Sequence, residues 1–305
     1  MKPITQENST LGFAGIGYMG RPIARRLLES GFKLTAYDRD QSKAEELIQY
    51  GGKVALSVSE LSSNCSVVLS CLPSDEAVLD IYRGPDGVLG SARPGSRVID
   101  LSTVYPETSQ ELSKRGFERG LDVLDVTMSG SSPAAENGLL TLFGGGNKDC
   151  FDSAESIFRV IAKKYFYLGP SGSGATMKLV VNTLLGIGMQ AIAEAVALGE
   201  KAGLDRNRLL DVLSQTAVVA PAHAGKLQRA MKSDYSPQFP IRLMNKDFGL
   251  ILELAATLGA QMPAAGAAFE INARQSDEGA EQDFSAVILQ MEKRAHLSFN
   301  GKGRA

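Results

Sequence analysis

The sequence predicts an α/β fold in which an N-terminal doubly wound sheet, a long interdomain helix and an all-α C-terminal domain follow one another. Short apolar runs alternate with amphipathic stretches as far as residue 168, and the strand signals stop after Gly169. The chain has 305 residues, which is more than one hydrophobic core usually organises. We therefore expect two domains, residues 1–170 and residues 171–305.

The first part of the chain alternates between two kinds of segment. Apolar runs typical of buried strands occupy residues 11–14, 33–37, 67–71, 97–100, 122–125, 140–143 and 165–168. Stretches that fit helices lie between the early runs, at residues 22–30, 42–50, 74–82 and 106–119. This alternation is typical of a parallel sheet with helices on both faces.

The second part contains only helical patterns. Residues 177–203 contain no proline and are apolar on almost every side, which predicts a buried helix about 40 Å long. Shorter helical stretches follow at residues 206–216, 222–232, 243–258, 263–276 and 285–294, with prolines between several of them. Residues 300–305 are polar and basic and predict a mobile tail.

Composition and charge exclude several classes of protein. The chain has 32 Lys and Arg against 34 Asp and Glu, a net charge of −2, so it has no basic field for nucleic acid or anionic lipid. A hydrophobic content of 44% excludes wholesale disorder. The absence of a long apolar run or an apolar N-terminus predicts no membrane span and no secretory signal. Three unpaired cysteines and two distant histidines predict a cytoplasmic protein without a zinc site.

A glycine-rich turn follows the first predicted strand and opens a helix. Its residues form the pattern Gly-x-Gly-x-x-Gly: Gly15, Ile16, Gly17, Tyr18, Met19 and Gly20. The first glycine permits the tight turn, the second lets backbone approach a pyrophosphate, and the third lets helix and strand pack closely. Asp38 ends the second strand 18 residues after the motif, near the spacing of an acid that binds a ribose 2′-hydroxyl. The pattern predicts a Rossmann dinucleotide-binding domain.

The cofactor is predicted to be NAD or NADP, and two adjacent residues bear on the choice. Asp38 favours NAD, because a carboxylate repels a 2′-phosphate. Arg39 can instead hold that phosphate, or it can be a solvated surface charge. The pair favours NAD and leaves NADP open.

Several further segments occur in the order and spacing of one known family. Besides the glycine loop they are residues 71–74, 100–104, 129–138, 172–182 and 246–247. With them the chain resembles the β-hydroxyacid dehydrogenases, the group of 3-hydroxyisobutyrate dehydrogenase, which have a domain like that of 6-phosphogluconate dehydrogenase. It resembles most the glyoxylate/succinic semialdehyde reductase branch, which also has a Tyr-x-x-x-Phe-Pro stretch like residues 235–240. That branch reads NADPH through Asn-Arg-Thr, where this chain has Asp-Arg-Asp at residues 38–40.

Lys178 and Asn182 are the predicted catalytic pair. They are four residues apart in a helical stretch, so their side chains share one face. Reduction of an aldehyde needs a hydride at carbon and a proton at the developing alkoxide, and a lysine ammonium supplies both charge and proton. The resemblance implies a catalytic lysine at this position. From the residue pattern alone, a lysine that reaches solvent beside a packing amide is the alternative.

Further site residues follow from loops at strand ends and from the resemblance. For substrate binding these are Ser129, Gly130, Ser131 and Phe239, where N–H groups and small hydroxyls of the first three suit a carboxylate. For cofactor binding, in addition to the glycine loop and residues 38–39, they are Leu72, Pro73, Thr103 and Lys246. Asp247 either orients Lys246 or caps a helix. Loop, packing or surface roles are the alternatives for all of them.

The sequence therefore predicts an NAD(P)-dependent oxidoreductase of CH–OH groups. The expected reaction is reversible hydride transfer to a small aldehyde acid of the glyoxylate, succinic semialdehyde, tartronate semialdehyde or 3-hydroxyisobutyrate class. No metal is expected, since Lys178 supplies the positive charge. The alternatives are an imine reductase, which typically lacks that lysine, and an inactive NAD(P)-binding sensor or scaffold. The apolar residues 177–203 predict a homodimer or homotetramer, and His223 is expected at the surface or between domains.

Overall fold

The computed structural model describes residues 1–274 and 277–297. The predicted tail at residues 300–305 and the last two residues of the helix predicted at 263–276 lie outside the described residues. The chain divides into two units, Met1–Leu179 and a second that begins at Val180. This division falls inside the long helix, and the domain boundary after residue 170 stays a prediction.

The first unit is built on one sheet. Its strands are β1 (Thr10–Ala14), β2 (Lys33–Tyr37), β3 (Lys53–Val54), β4 (Val67–Ser70), β5 (Arg97–Asp100), β6 (Asp122–Ser129), β7 (Leu140–Gly145) and β8 (Ala162–Tyr167). They lie in the order β3-β2-β1-β4-β5-β6-β7-β8. The predicted strands are confirmed to within a few residues, and the two-residue β3 was not predicted.

The sequence pattern predicted a parallel sheet. The observed sheet contains one antiparallel pair of strands. β6 and β7 pair antiparallel, whereas the other neighbouring strands pair parallel. The connection at residues 130–139 explains the difference, because a parallel crossover needs a dozen or more residues. The chain turns back instead of crossing over.

Helices cover both faces of this sheet. They are α1 (Gly20–Glu29), α2 (Gln41–Glu45), α3 (Val58–Asn64), α4 (Asp75–Tyr82), α5 (Val88–Ser91), α6 (Pro106–Phe117), α7 (Ser132–Glu136), α8 (Lys148–Ser153) and α9 (Glu155–Ile161), with a 3-10 turn at Ile48–Tyr50. One apolar core, which includes Phe13 and Leu27, fills one face. A second core, which includes Val68 and Val98, fills the other. Helices α3, α5, α7, α8 and α9 were not predicted, since they are too short to show a helical period.

The long helix α10 (Ser173–Lys201) leads into a helical second unit. It is followed by α11 (Arg206–Ser214), α12 (Pro221–Ala230), α13 (Ile241–Leu258), α14 (Pro263–Ala273), α15 (Asp277–Ala280), a 3-10 turn at Phe284–Ala286 and α16 (Val287–Arg294). Apart from a single bridge between Pro240 and Asp283, the described part of this unit contains no strand. The predicted all-α character is confirmed.

Helix α10 is less buried than its composition predicted. Leu184 and Leu198 are 71% and 72% exposed within the single chain, so one chain does not bury the helix on all sides. By length and composition α10 is also able to cross a membrane, although the core helix of a soluble protein passes the same test. The absence of a membrane-spanning segment therefore stays a prediction.

Candidate active site

The carboxyl ends of β1, β2, β4, β5 and β6 lie along one edge of the sheet, because these strands run parallel. The predicted site residues of the first unit follow these strand ends, at residues 15–20, 38–39, 72–73, 103 and 129–131. The strand order reverses at β1, which has β2 on one side and β4 on the other. Open α/β sheets bind ligands in the crevice at such a reversal.

The glycine loop divides into positions that need glycine for packing and one that leaves space. Gly15 has a φ of +92°, and a Cβ there would lie 2.4 Å from the backbone oxygen of Cys71. A Cβ on Gly20 would lie 1.9 Å from the oxygen of Gly15, whereas one on Gly17 would meet nothing within 4 Å. Gly17 thus leaves room beside the N–H groups at the start of α1, which attract phosphate.

Asp38 fastens the glycine loop from the neighbouring strand. Its Oδ2 accepts a hydrogen bond of 2.7 Å from the N–H of Ile16, and its Oδ1 one of 2.9 Å from the N–H of Asp40. Arg39 is exposed, and it makes no hydrogen bond or ion pair with the residues that the structure describes. The fixed carboxylate of Asp38 and the exposed guanidinium of Arg39 are thus adjacent in the sequence, at the position where this fold distinguishes a ribose 2′-hydroxyl from a 2′-phosphate.

The loops after β4 and β5 are joined through a buried carboxyl. The N–H of Leu72 donates to Ser102 Oγ at 2.9 Å, and Ser102 Oγ donates to Asp100 Oδ1 at 2.6 Å. Asp100 is 3% exposed, and burial raises its pKa to about 6. Within residues 1–274 and 277–297 its Oδ2 has no hydrogen-bond partner. Asp100 therefore determines how Leu72 and the neighbouring Thr103 are held.

The predicted substrate-binding segment adjoins the glycine loop. Ser129 ends β6, and Gly130 follows with a φ of +137°. A Cβ on Gly130 would approach Leu140 Cδ2 to 2.7 Å. Ser132 Oγ donates to the carbonyl of Tyr18 at 3.0 Å. Residues 129–131 are thus held beside the expected cofactor loop.

The start of α10 is fastened to β6 by two side chains. Asp125 accepts hydrogen bonds from the N–H groups of Gly172 at 2.9 Å and Ala175 at 3.0 Å. Thr127 Oγ1 donates to the carbonyl of Gly174 at 2.7 Å. A carboxylate at a helix start satisfies N–H groups that have no partner within the helix. These contacts fasten the first turn of α10 to β6.

Lys178 lies in α10 shortly after this junction, half-buried. Burial raises the pKa of the Cys71 thiol to about 12, and the charge of Lys178 opposes that rise. Lys178 also follows Ala175, whose N–H donates to Asp125 of β6, by three residues in the same helix. The first unit therefore brings the predicted proton donor to the edge that carries the glycine loop.

Sequence reasoning missed Asp100 and Asp125. Both are more than nine-tenths buried, and both fasten the loops and the helix that carry predicted site residues. The available signal was an aspartate at the end of an apolar run, Val-Ile-Asp at residues 98–100 and Val-Leu-Asp at residues 123–125. Because a charged group is costly to bury, an acid in such a run indicates bound donors.

In the second unit, Asn182 and Lys246 share one carboxylate. Asn182 is fully buried, and its Nδ2 donates to Asp247 Oδ2 at 2.5 Å. Lys246 Nζ lies 2.8 Å from Asp247 Oδ1. Asp247 thus orients Lys246, and it lies well inside α13 rather than at a cap. In the described part of the chain, Asn182 Oδ1 has no hydrogen-bond partner and is available to a donor.

Two other predicted residues of the second unit have different surroundings. The ring of Phe239 packs edge-on against Phe284, with 5.8 Å between ring centroids. His223 is 5% exposed, and its Nε2 lies 2.9 Å from the carbonyl oxygen of Leu185. His223 was predicted at the surface or between domains; the surface position is wrong, and its contact with Leu185 lies within the second unit. Gly188 leaves room for the ring, since a Cβ there would lie 2.7 Å from it.

The next features are the potential metal ligands among the described residues and two of the buried cysteines. No group of three or more His, Cys, Asp or Glu side chains that could hold a metal ion occurs among residues 1–274 and 277–297. Burial raises the pKa of Cys65 to about 11 and that of Cys150 to about 12, so both thiols stay protonated near neutrality.

Comparison with known proteins matches both parts of the chain. Residues 10–169 match the family described as the NAD binding domain of 6-phosphogluconate dehydrogenase. Residues 172–291 match the family described as NAD-binding of NADP-dependent 3-hydroxyisobutyrate dehydrogenase. Glyoxylate/succinic semialdehyde reductase 1 of Arabidopsis thaliana is 37% identical over 91% of this chain and 96% of its own length.

Solved structures agree with these matches. 3-Hydroxyisobutyrate dehydrogenase of Mycobacterium tuberculosis, solved with L-serine, has a TM-score of 0.83 and 30% identity, covering 93% of this chain and 99% of that one. Psf3, solved in complex with NADP⁺ and 2-OPP, has a TM-score of 0.85 and 25% identity, covering 92% of this chain and 99% of that one.

Proposed function

The chain belongs to the β-hydroxyacid dehydrogenase family, and on that premise we propose that it reduces small aldehyde acids with Lys178 as the proton donor. It is an NAD(P)-dependent oxidoreductase that acts on CH–OH groups. The observation that carries the proposal is that hydrogen bonds from the N–H groups of Gly172 and Ala175 to Asp125 fasten the start of α10, which carries Lys178, to the sheet that also carries the glycine loop.

The residues at that edge fit a dinucleotide. Gly17 leaves open space where a side chain would stand, and the first turn of α1 offers N–H groups to a pyrophosphate. Asp38 lies at the end of β2, where the adenosine ribose is bound in this fold. The bound nicotinamide supplies or accepts the hydride, and the groups of the protein perform the remaining chemistry.

Lys178 and Asn182 are proposed to act on the substrate oxygen. The Lys178 ammonium stabilises negative charge as it develops on that oxygen and donates its proton from Nζ. Asn182 Oδ1, buried and without a hydrogen-bond partner in the described residues, is proposed to accept from the product hydroxyl. Asp247 holds the amide in this orientation through Nδ2. In the oxidative direction, neutral Lys178 is the base.

The substrate carboxylate is proposed to bind at residues 129–131. Ser129 and Ser131 provide hydroxyl donors, and the backbone at Gly130, free of a side chain, provides close approach. The similarity to the glyoxylate/succinic semialdehyde reductase of Arabidopsis thaliana favours glyoxylate and succinic semialdehyde as first substrates to test. Tartronate semialdehyde and 3-hydroxyisobutyrate follow as members of the same chemical class.

For the cofactor we propose NAD over NADP. The carboxylate of Asp38 is held in place by two N–H groups and repels a 2′-phosphate. Arg39 is the residue that would bind that phosphate. Asp38→Ala should raise the NADPH/NADH ratio of kcat/KM, and Arg39→Ala should lower it; an unchanged ratio in both would refute this account.

We further propose a homodimer or homotetramer located in the cytoplasm. Exposed apolar side chains along α10, Val180, Leu184 and Leu198 among them, support self-association, because monomers rarely leave such a stripe uncovered. Sedimentation velocity of the purified protein measures the state directly. A monomer at micromolar concentration would contradict the proposal.

The test of the reaction is oxidation of NADH or NADPH at 340 nm, with glyoxylate, succinic semialdehyde and tartronate semialdehyde as substrates. Lys178→Ala should lower kcat by a factor of about 10²–10⁴, the usual contribution of a positioned acid, while the Kd of the cofactor stays unchanged. A cyclic imine serves as the control substrate. Turnover of the imine alone would support an imine reductase, and bound cofactor without any turnover would support a sensor. Full activity in Lys178→Ala would refute the proton donor.

A further inference from the structure

The segment that carries Phe239 is fastened to a second stretch of chain far from it in sequence. Residues 235–240 lie between α12 and α13. The N–H of Asp283 donates to the Tyr235 carbonyl at 2.9 Å, and the N–H of Phe284 donates to the Phe239 carbonyl at 2.9 Å. The segment is therefore held near both ends, and these bonds fix the backbone from which the Phe239 side chain projects.

The carboxylate of Asp283 lies beneath this segment and is fully buried. Its Oδ2 accepts from the N–H groups of Gln238 and Phe239, both at 3.1 Å, and from Lys226 Nζ at 2.6 Å. Its Oδ1 accepts from the N–H and hydroxyl of Ser285, at 3.2 and 2.7 Å. The carboxylate thus contacts Phe239 directly through the backbone.

Lys226 is the counter-ion of this carboxylate and is itself 6% exposed. Its Nζ also donates to Gln238 Oε1 at 3.0 Å and lies 5.3 Å from the ring centroid of Phe284. Phe284 in turn packs edge-on against Phe239. The pair therefore reaches Phe239 by two routes, its backbone N–H and its ring.

Stability alone gives little reason to bury such a pair. The cost of removing two charges from water largely cancels their attraction, so apolar residues of similar volume often serve as well. A buried ion pair that is fully hydrogen-bonded does, however, hold its hydrogen-bond donors in one arrangement, because any other arrangement leaves a buried charge without partners. The fixed arrangement here is that of residues 238 and 239.

We propose that Asp283 and Lys226 are positioning residues that fix Phe239, and that through Phe239 they determine which aldehyde acids the enzyme accepts. The second clause rests on the proposed function together with the prediction from the sequence that Phe239 binds the substrate. The first clause concerns only the geometry of the second unit. The two can be tested separately.

The position of Phe239 can be measured without any substrate. The chain contains no tryptophan, so Phe239→Trp introduces a single tryptophan, whose emission can be excited selectively at a wavelength that tyrosine does not absorb. In that background, Asp283→Asn should shift the emission to longer wavelength and increase quenching by acrylamide, because the amide cannot accept from both sets of donors. Lys226→Met, which keeps the apolar stem and removes the charge, should shift it in the same direction.

A matched control bridges nearly the same two stretches of chain. Arg242 and Glu281 form an ion pair, but their side chains are 43% and 59% exposed. Glu281→Gln should leave the emission and the quenching unchanged, since an exposed pair contributes little. Circular dichroism of the helical second unit, measured for each variant beside cofactor binding at the glycine loop, verifies that both units are folded.

Substrate selectivity provides the second measurement. In the chain that retains Phe239, Asp283→Asn and Lys226→Met should change the ratio of kcat/KM for succinic semialdehyde over glyoxylate about tenfold, in the direction that Phe239→Leu changes it. Combined with Phe239→Leu, either variant should add no further change. The Kd of the cofactor should stay the same throughout.

The outcomes separate the two claims. An unshifted emission in both variants, or loss of helical circular dichroism in both, would overturn the positioning role; the latter would show that the pair supports the fold of the second unit as a whole. A shifted emission with an unchanged selectivity ratio would overturn the specificity role. If the wild-type chain reduces none of the aldehydes, the proposed function fails, and the fluorescence result still decides the positioning role.

Discussion

Replacing Asp100 by asparagine should remove a pH dependence of stability that resides in the first unit. The Asp100 carboxyl is 3% exposed and accepts hydrogen bonds from Ser70 and Ser102 through one oxygen. The other oxygen has no hydrogen-bond partner in the part of the chain that the structure describes. Asparagine retains the accepting oxygen and removes the charge, so the comparison isolates the ionisation.

The sign and size of the effect follow from the pKa. Burial raises the pKa of Asp100 from its ordinary value of 3.8 to about 6. Between these values the native protein retains a proton that the unfolded chain has lost, so the free energy of unfolding falls as pH rises. The difference corresponds to about 3 kcal/mol, lost between about pH 4 and about pH 6. For a unit of this size, that lowers Tm by about 6–12 °C.

Thermal unfolding between pH 4 and pH 8 measures this directly. The Tm of Asp100→Asn minus that of the wild type should rise by about 6–12 °C from pH 4 to pH 8, since contributions of all other groups cancel. Asp152→Asn is the control, because Asp152 is 56% exposed and pairs with Lys148 at the surface. Its Tm difference should stay constant. A constant difference for Asp100→Asn as well would refute the reasoning.

Four further substitutions test the geometry of the site. Gly20→Ala should lower Tm and abolish cofactor binding, since its Cβ would lie 1.9 Å from a backbone oxygen. Gly17→Ala should raise the Kd of the cofactor and leave Tm nearly unchanged, because its Cβ would meet nothing within 4 Å. Equal losses of Tm in the two variants would contradict this. Asp125→Ala should destabilise the first unit by about 1–2 kcal/mol, as loss of a helix cap does, and a denaturant titration that shows no change would exclude the capping role. Asp247→Ala should lower kcat without changing the cofactor Kd, because Asn182 loses the acceptor that orients it; an unchanged kcat would argue against that orientation.

Much of the fold was predictable from the sequence, because it depends on local regularities. Period-two and period-3.6 apolar patterns mark strands and helices independently of their neighbours, and they predicted most strands and all the longer helices. The missed elements are short, such as β3 at Lys53–Val54. They are held in place by neighbouring strands and helices rather than by a pattern of their own.

The glycine loop was predictable for a different local reason. Gly15 and Gly20 are needed by backbone contacts within a few residues of the turn or with the adjoining strand end, so their spacing is constrained in the sequence itself. The same holds for Lys178 and Asn182, whose relation is that of one helical turn. Motif and spacing were sufficient there, since helix geometry fixes which side chains share a face.

The sequence by itself thus determined the order of elements, the cofactor loop and the helix that carries Lys178. Only the tertiary structure decided the partners: Asp247 for Asn182, 65 residues away, and Asp283 for Phe239, 44 residues away. It also decided that Asp125 fastens α10, across 47 residues. Such contacts depend on which elements pack side by side, and no periodicity records that choice. Short sequence motifs therefore determine which residue types the site contains, and the packing of distant elements determines how those residues are arranged.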